Sequence, residues 1–115
     1  MVVNNNELGV YVMQVAATLT GMHPQTLRKY ERAGFLAPSR RYMVRLYSDE
    51  DIARLRMIKH LVDDMGLNLA GVELALKLRD SLLNMKEEIA SAGLSRRLGD
   101  HLLSLLDDML ETLGG

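Results

Sequence analysis

Apolar positions along this chain recur at two different periods, and the changes of period mark its elements. Val12, Val15, Ala16 and Leu19 follow the 3.6-residue spacing of a short helix, with Gly21 placed to end it. Residues 1–9 (MVVNNNELG) carry no amphipathic pattern and are expected to form a flexible lead-in, with Tyr11–Met13 a short extended entry. A second helix is predicted from Pro24, a residue suited to the first helical position, with His23 where an N-cap belongs. Leu27 and Tyr30 give it a core-facing side, Gly34 closes it, and Phe35 and Leu36 pack back. Helix, short Gly-containing turn, helix is the helix-turn-helix unit.

Beyond Pro38 the period drops to two. Tyr42, Val44 and Leu46 alternate with Met43, Arg45 and Tyr47, which predicts a strand after a Pro-Ser turn and a hairpin, or wing, beside the second helix. Ser48 and Asp51 resemble a capping box opening a third helix, whose stripe is Ile52, Leu55, Ile58, Leu61, Val62 and Met65 up to Gly66. Asn68 caps a fourth, through Leu69, Val72, Leu76 and Arg79, with Gly71 in its first turn. From Leu78 the spacing alternates by four and three: Leu78, Leu82, Met85, Ile89 and Ala92 form a heptad seam. Gly93 and Gly99 interrupt it before a broader stripe of Leu102, Leu103, Leu105, Leu106, Met109, Leu110 and Leu113. So apolar a helix must fold back or pair with a second copy, and a seam leading away from the compact part favours pairing. The expected dimerisation residues are Leu78, Leu82, Met85, Ile89, Leu102, Leu105 and Met109.

Composition limits what this architecture can do. In 115 residues there is room for one small domain and an appended helix. Hydrophobic residues make up 48% and charged ones 25%, the balance of a folded chain, while 4% aromatics without Trp leave the core to Leu, Val, Ile, Ala and Met. Cysteine is absent, which removes disulfides, thiolate metal sites and Cys nucleophiles and fits a reducing compartment. No apolar run approaches the ~20 residues of a membrane span, and the first residues lack a signal peptide's pattern. The expected location is the cytoplasm, in association with the nucleoid.

The net charge of −1 conceals segregation. Residues 1–62 hold nine Lys/Arg against five Asp/Glu, and residues 63–115 hold five against ten. Between Arg28 and Arg45 six basic residues face a single acid, Glu31. On the second helix Gln25, Arg28, Lys29 and Arg32 are spaced i, i+3, i+4, i+7, so one face is long, hydrogen-bonding and cationic while the other is anchored. Such a helix is suited to a DNA major groove, and Arg40, Arg41 and Arg45 on the wing to phosphates or the minor groove. The candidate DNA contacts are His23, Gln25, Thr26, Arg28, Lys29, Tyr30, Arg32, Arg40, Arg41, Tyr42, Arg45 and Tyr47.

The expected fold class is mainly α: a winged helix-turn-helix DNA-binding domain with a small β-hairpin wing (10–79) after a flexible N-terminus (1–9), then a C-terminal dimerisation helix or coiled coil (80–115). No catalytic set is expected. The pairs Asp63–Asp64, Glu87–Glu88 and Asp107–Asp108 diverge by about 100° on a helix and read as solvated faces. His23, His60 and His101 share no helical spacing, so neither a metal site nor a cofactor is expected.

These residues also carry a family likeness. TLRKYERAGFL (Thr26–Leu36) resembles the recognition-helix signature of MerR-type transcriptional regulators, and RLYSDEDIARLRMIKHL (Arg45–Leu61) that family's wing exit and third helix. VAATLTGMHPQTLRKYE with GLNLAGVELAL is similar to the heat-shock repressor branch, HspR. The resemblance implies a winged helix-turn-helix homodimer, joined by an antiparallel coiled coil, on an inverted-repeat operator in double-stranded DNA. The branch implies repression of chaperone operons with a DnaK-type chaperone as co-repressor. Lys29 stands where many members have a Tyr, Met13 and Gln14 replace a small polar cap, and the cysteines of the metal sensors are missing. With so short a tail, no drug-binding domain is expected. The alternatives are another MerR-type regulator, a monomeric architectural DNA-binding protein of the excisionase type, and a protein-interaction module acting through the leucine-rich C-terminal half.

Overall fold

The alternating stretch after Pro38 becomes part of a small antiparallel sheet, with helices built from the segments before and after it. The structure, a computed structural model, describes residues 8–41 and 43–114. In chain order the elements are β1 (Gly9–Val12), α1 (Met13–Thr20), α2 (Pro24–Arg32), β2 (Ser39–Arg41), β3 (Val44–Ser48), α3 (Asp49–Lys59), a π-helical turn (His60–Asp64), α4 (Leu69–Ser91) and α5 (Arg96–Thr112). The fold is mainly α, as expected. They form two compact units that divide between Lys59 and His60.

In the first unit the order of strands is β1-β3-β2, so the expected hairpin acquires a third member. β2 and β3 pair through Ser39↔Leu46, Arg40↔Arg45 and Arg41↔Val44. β1 pairs with the other edge of β3, Tyr11 opposite Tyr47 and Val12 opposite Leu46, with an irregularity between Gly9 and Tyr11. The flexible lead-in expected over residues 1–9 lies outside the described residues as far as residue 7, and Gly9 already belongs to β1. Glycine is needed there by close approach: a Cβ at Gly9 would meet the Leu46 carbonyl oxygen at 2.8 Å, the Leu46 Cβ at 2.9 Å, and the Ser39 hydroxyl. Gly9→Ala should therefore overpack the sheet and cost about 1–3 kcal/mol, seen as a lowered melting temperature. An unchanged melt would mean that β1 does not pair as described.

α1 packs on α2 and α3 through a face that shares only Ala16 with its predicted apolar stripe. Ala16, Ala17 and Thr20 are buried, whereas Val12, Val15 and Leu19 stay exposed. Val12 precedes the helix as the last residue of β1, and the alanines leave space for neighbouring helices to approach. The Thr20 hydroxyl is satisfied by the Ala16 carbonyl at 2.8 Å. α3 opens with the expected box, the Asp51 N–H donating to Ser48 Oγ and the Ser48 N–H to an Asp51 carboxylate oxygen, both at 3.0 Å. Three cations counted in the basic half then serve the fold. Arg54 Nε donates to the Phe35 carbonyl (2.7 Å), Arg56 to that of Leu19 (3.3 Å) and Lys59 to that of Gly21 (3.0 Å), supplying donors near the ends of α1 and α2.

In the second unit Leu61, Val72, Ala75, Leu76, Leu106 and Leu110 are buried. The π-helical turn, in which the Met65 N–H reaches back to the His60 carbonyl at 3.2 Å, rotates the helical face, and Met65 leaves the predicted stripe to become exposed. Asn68 caps α4 by accepting from the Gly71 N–H at 2.9 Å. α4 runs unbroken through Leu78, where the periodicity changed, and ends before Gly93; Ser95 caps α5. α5 folds back antiparallel along α4, tied by an ion pair of Lys86 with Asp107 at 2.7 Å. Within one protomer, then, the terminal helix takes the fold-back option, and the pairing option concerns the face that this leaves open. A short connection between two strongly apolar helices makes the fold-back contact local.

Candidate nucleic-acid interface

α2 is held in place by devices at both its ends. His23 caps it with Nδ1, which accepts from the Gln25 N–H at 3.1 Å. At the other end the Gly34 N–H bonds to the Glu31 carbonyl and the Phe35 N–H to the Tyr30 carbonyl, both at 3.0 Å, with Gly34 at φ 81°. This is a Schellman closure, and its customary apolar contact is supplied by the Tyr30 and Phe35 rings, 6.0 Å apart. Leu27 and Tyr30 are buried, so the azimuth of the helix is set. Gln25, Lys29 and Arg32 are consequently exposed on its outer side, with Thr26 and Arg28 half-buried at its flanks.

The wing stands against this helix through Glu31. Its carboxylate lies 3.0 and 3.1 Å from Arg45 Nε, the oxygen at 3.1 Å being the one aligned for a hydrogen bond, and 3.6 Å from an Arg40 nitrogen. The single acid of the basic stretch thus fastens the hairpin to α2 and partly neutralises two of its arginines. Among the described residues no carboxylate pairs with Arg28, Lys29, Arg32 or Arg41, and Lys29 Nζ lies 6.0 Å from the Tyr30 ring. Gln14, Arg28, Arg40, Met43, Val44 and Arg45 surround an open hollow of about 340 Å³ between α1, α2 and the wing. Gln14 and Met43 are additions to the expected set. The alternation grouped Met43 with Arg45 on one strand face, whereas nothing local marks Gln14.

Two tyrosines belong to the interior. Tyr47 is fully buried, which removes it from the candidate contacts; the strand's inner face requires a large side chain there, and its hydroxyl has no partner among the described residues. Burial and the neighbouring Glu31 carboxylate raise its pKa, so the phenol stays neutral. Tyr30 is also buried, its ring serving the closure of α2. Tyr42 lies outside the described residues.

A second surface lies in the other unit. Leu78, Leu82, Met85, Met109 and Leu113 line an apolar groove of about 380 Å³ along the α4–α5 hairpin. Leu78, Met85 and Met109 are 49%, 48% and 51% exposed. Leu105 is likewise exposed, while Ile89 and Leu102 are half-buried. Among the acidic pairs, Asp64 lies within hydrogen-bond distance of His60 Nδ1 (2.8 Å) and Asp107 forms an ion pair with Lys86, both at the surface. No three His, Asp or Glu residues converge to hold a metal among the described residues, and no described helix is long and apolar enough to cross a membrane.

Comparison with known proteins agrees with this geometry. Over 82 residues the chain is 43% identical to the putative heat shock protein HspR of Streptomyces coelicolor, covering 70% of the chain and 54% of that protein. Over 102 residues it is 31% identical to the HTH-type transcriptional repressor CarH of Myxococcus xanthus, covering 87% of the chain and 33% of that protein. The chain therefore spans about half the length of the first relative and a third of the second. The model of the MerR HTH family of regulatory proteins matches residues 11–78, more than half the chain, and takes in α1, α2, the wing and α3. The chain belongs to the MerR family of helix-turn-helix DNA-binding regulators.

Proposed function

We propose that this chain is a homodimeric, sequence-specific transcriptional repressor acting on inverted-repeat operators of heat-shock and chaperone genes. The carrying observation is the face of α2: Gln25, Lys29 and Arg32 exposed with Arg28 at the edge, no carboxylate among the described residues pairing with these cations, beside an arginine-bearing wing held by Glu31. Arg28, Gln25 and Lys29 enter the major groove, while Arg41 and the partly neutralised Arg40 and Arg45 follow the phosphates. Dimerisation is supported by the exposed apolar groove of α4–α5, which a second copy would cover. The heat-shock assignment draws on the likeness to HspR. A DnaK-type chaperone as co-repressor draws on the branch resemblance alone. Residues 10–79 serve DNA and 80–115 assembly.

Genome-wide footprinting with and without added chaperone tests the reading. A chaperone-operon promoter among the protected sites, bound more tightly with the chaperone, is the expected result. Protected palindromes remote from any stress gene would refute the heat-shock assignment and leave DNA binding in place. The salt dependence bears on the electrostatics. A dimer neutralising about eight phosphates should show log K falling against log salt with a slope near −7, and a slope shallower than about −2 would contradict it.

A further inference from the structure

Met43 occupies the tip of the β2–β3 hairpin, 98% exposed and at φ 65°. No other non-glycine among the described residues has a positive φ. A Met is doubly ill-placed there. The conformation favours Gly or Asn, and the whole thioether chain lies in water. The hairpin would be better made without it, so its use lies outside the chain.

The surroundings say what meets it. Arg41 and Val44 pair directly behind the tip, Arg40 and Arg45 follow along the ladder, and Met43 shares its hollow with Arg28. A tip so flanked by guanidinium groups meets a polyanion rather than an apolar protein face. A duplex seated on α2 is that polyanion. Its minor groove, about 6 Å wide, admits a single unbranched side chain, and a flexible, polarisable Met can slide against base faces.

We propose that Met43 is an apolar wedge that enters the minor groove flanking the bases read by α2 and opens one base step there. It rests on the DNA-binding reading of α2 and adds a source of sequence selection at positions where no side chain hydrogen-bonds to a base. Pyrimidine–purine steps, the easiest to unstack, are preferred at the flank.

The test uses the full chain and duplexes selected by it from a random-sequence pool, with 2-aminopurine placed at each flanking step in turn. Met43→Gly relieves the backbone, so it should fold and melt a few degrees higher. It should also bind the selected duplex about tenfold more weakly, lose the preference for pyrimidine–purine flanks, and abolish a 2-aminopurine fluorescence rise that the unaltered chain produces at one step. Met43→Leu should retain most of the binding and the fluorescence rise. Equal affinity and equal flank preference in Met43→Gly would overturn the wedge. So would a loss shared by all flanks with no fluorescence rise in the unaltered chain. Arg28→Ala separates the levels: if it leaves binding intact, the α2 reading itself fails, and if it weakens binding while Met43→Gly does not, only the wedge fails.

Discussion

Replacing Arg28 by Ala is expected to weaken operator binding more than any other single change on α2. A bidentate guanidinium–guanine contact contributes ~1–3 kcal/mol of discrimination at one position. A dimer loses it at both half-sites, and contacts that far apart add, so the total is about 2–6 kcal/mol. The fold should survive. Arg28 is half-buried at the rim of the hollow, outside the Leu27–Tyr30 face that anchors the helix, and no carboxylate among the described residues depends on it. Arg28→Lys is the informative companion because it keeps the charge and removes the planar fork. If Lys restores base preference in a binding selection, Arg28 contacts phosphate rather than a base.

The second large effect is expected from Met85→Glu combined with Met109→Glu. Both side chains are about half exposed, so in an isolated protomer the carboxylates remain hydrated and the helical hairpin stays formed. In a paired groove they become buried like charges without partners. Sedimentation should then give the 12.9 kDa protomer, with α-helical content unchanged. Operator affinity should fall by about 10²-fold or more, because two half-site contacts no longer share one molecule. An unaltered chain that sediments as a monomer at micromolar concentration would remove the groove from the dimer interface and revive the architectural reading.

Much of α2 was legible because its determinants are local. A cap at His23, Pro24 at the first position, the Leu27–Tyr30 spacing and Gly34 at the close all lie within one short segment and agree with one another. The capping box of α3 and the cap of α4 were legible for the same reason. What escaped was set by pairing across distance. β1 exists because β3 offers it an edge, and Gly9 reveals its role only when Ser39 and Leu46 are brought beside it. The partnership of Glu31 with Arg40 and Arg45 depends on the hairpin's position against α2, so a charge count treated as free two arginines that are partly neutralised. On α1 the stripe of Val12, Val15, Ala16 and Leu19 held only for Ala16, because helix approach selected the small residues Ala16, Ala17 and Thr20. Period-2 alternation placed Tyr47 on the same strand face as Arg45, but it could not tell which end of that face is covered by core.

Two copies of α2 are expected to act together on one operator. Hydroxyl-radical footprinting on a selected duplex, with the bound mass measured in the same complex, tests it most directly. Two protected half-sites related by a two-fold axis are expected, centred roughly 34 Å apart or a multiple of that, each losing protection in Arg28→Ala, with two chains bound. A single protected patch carrying one chain, or protection indifferent to Arg28, would contradict it.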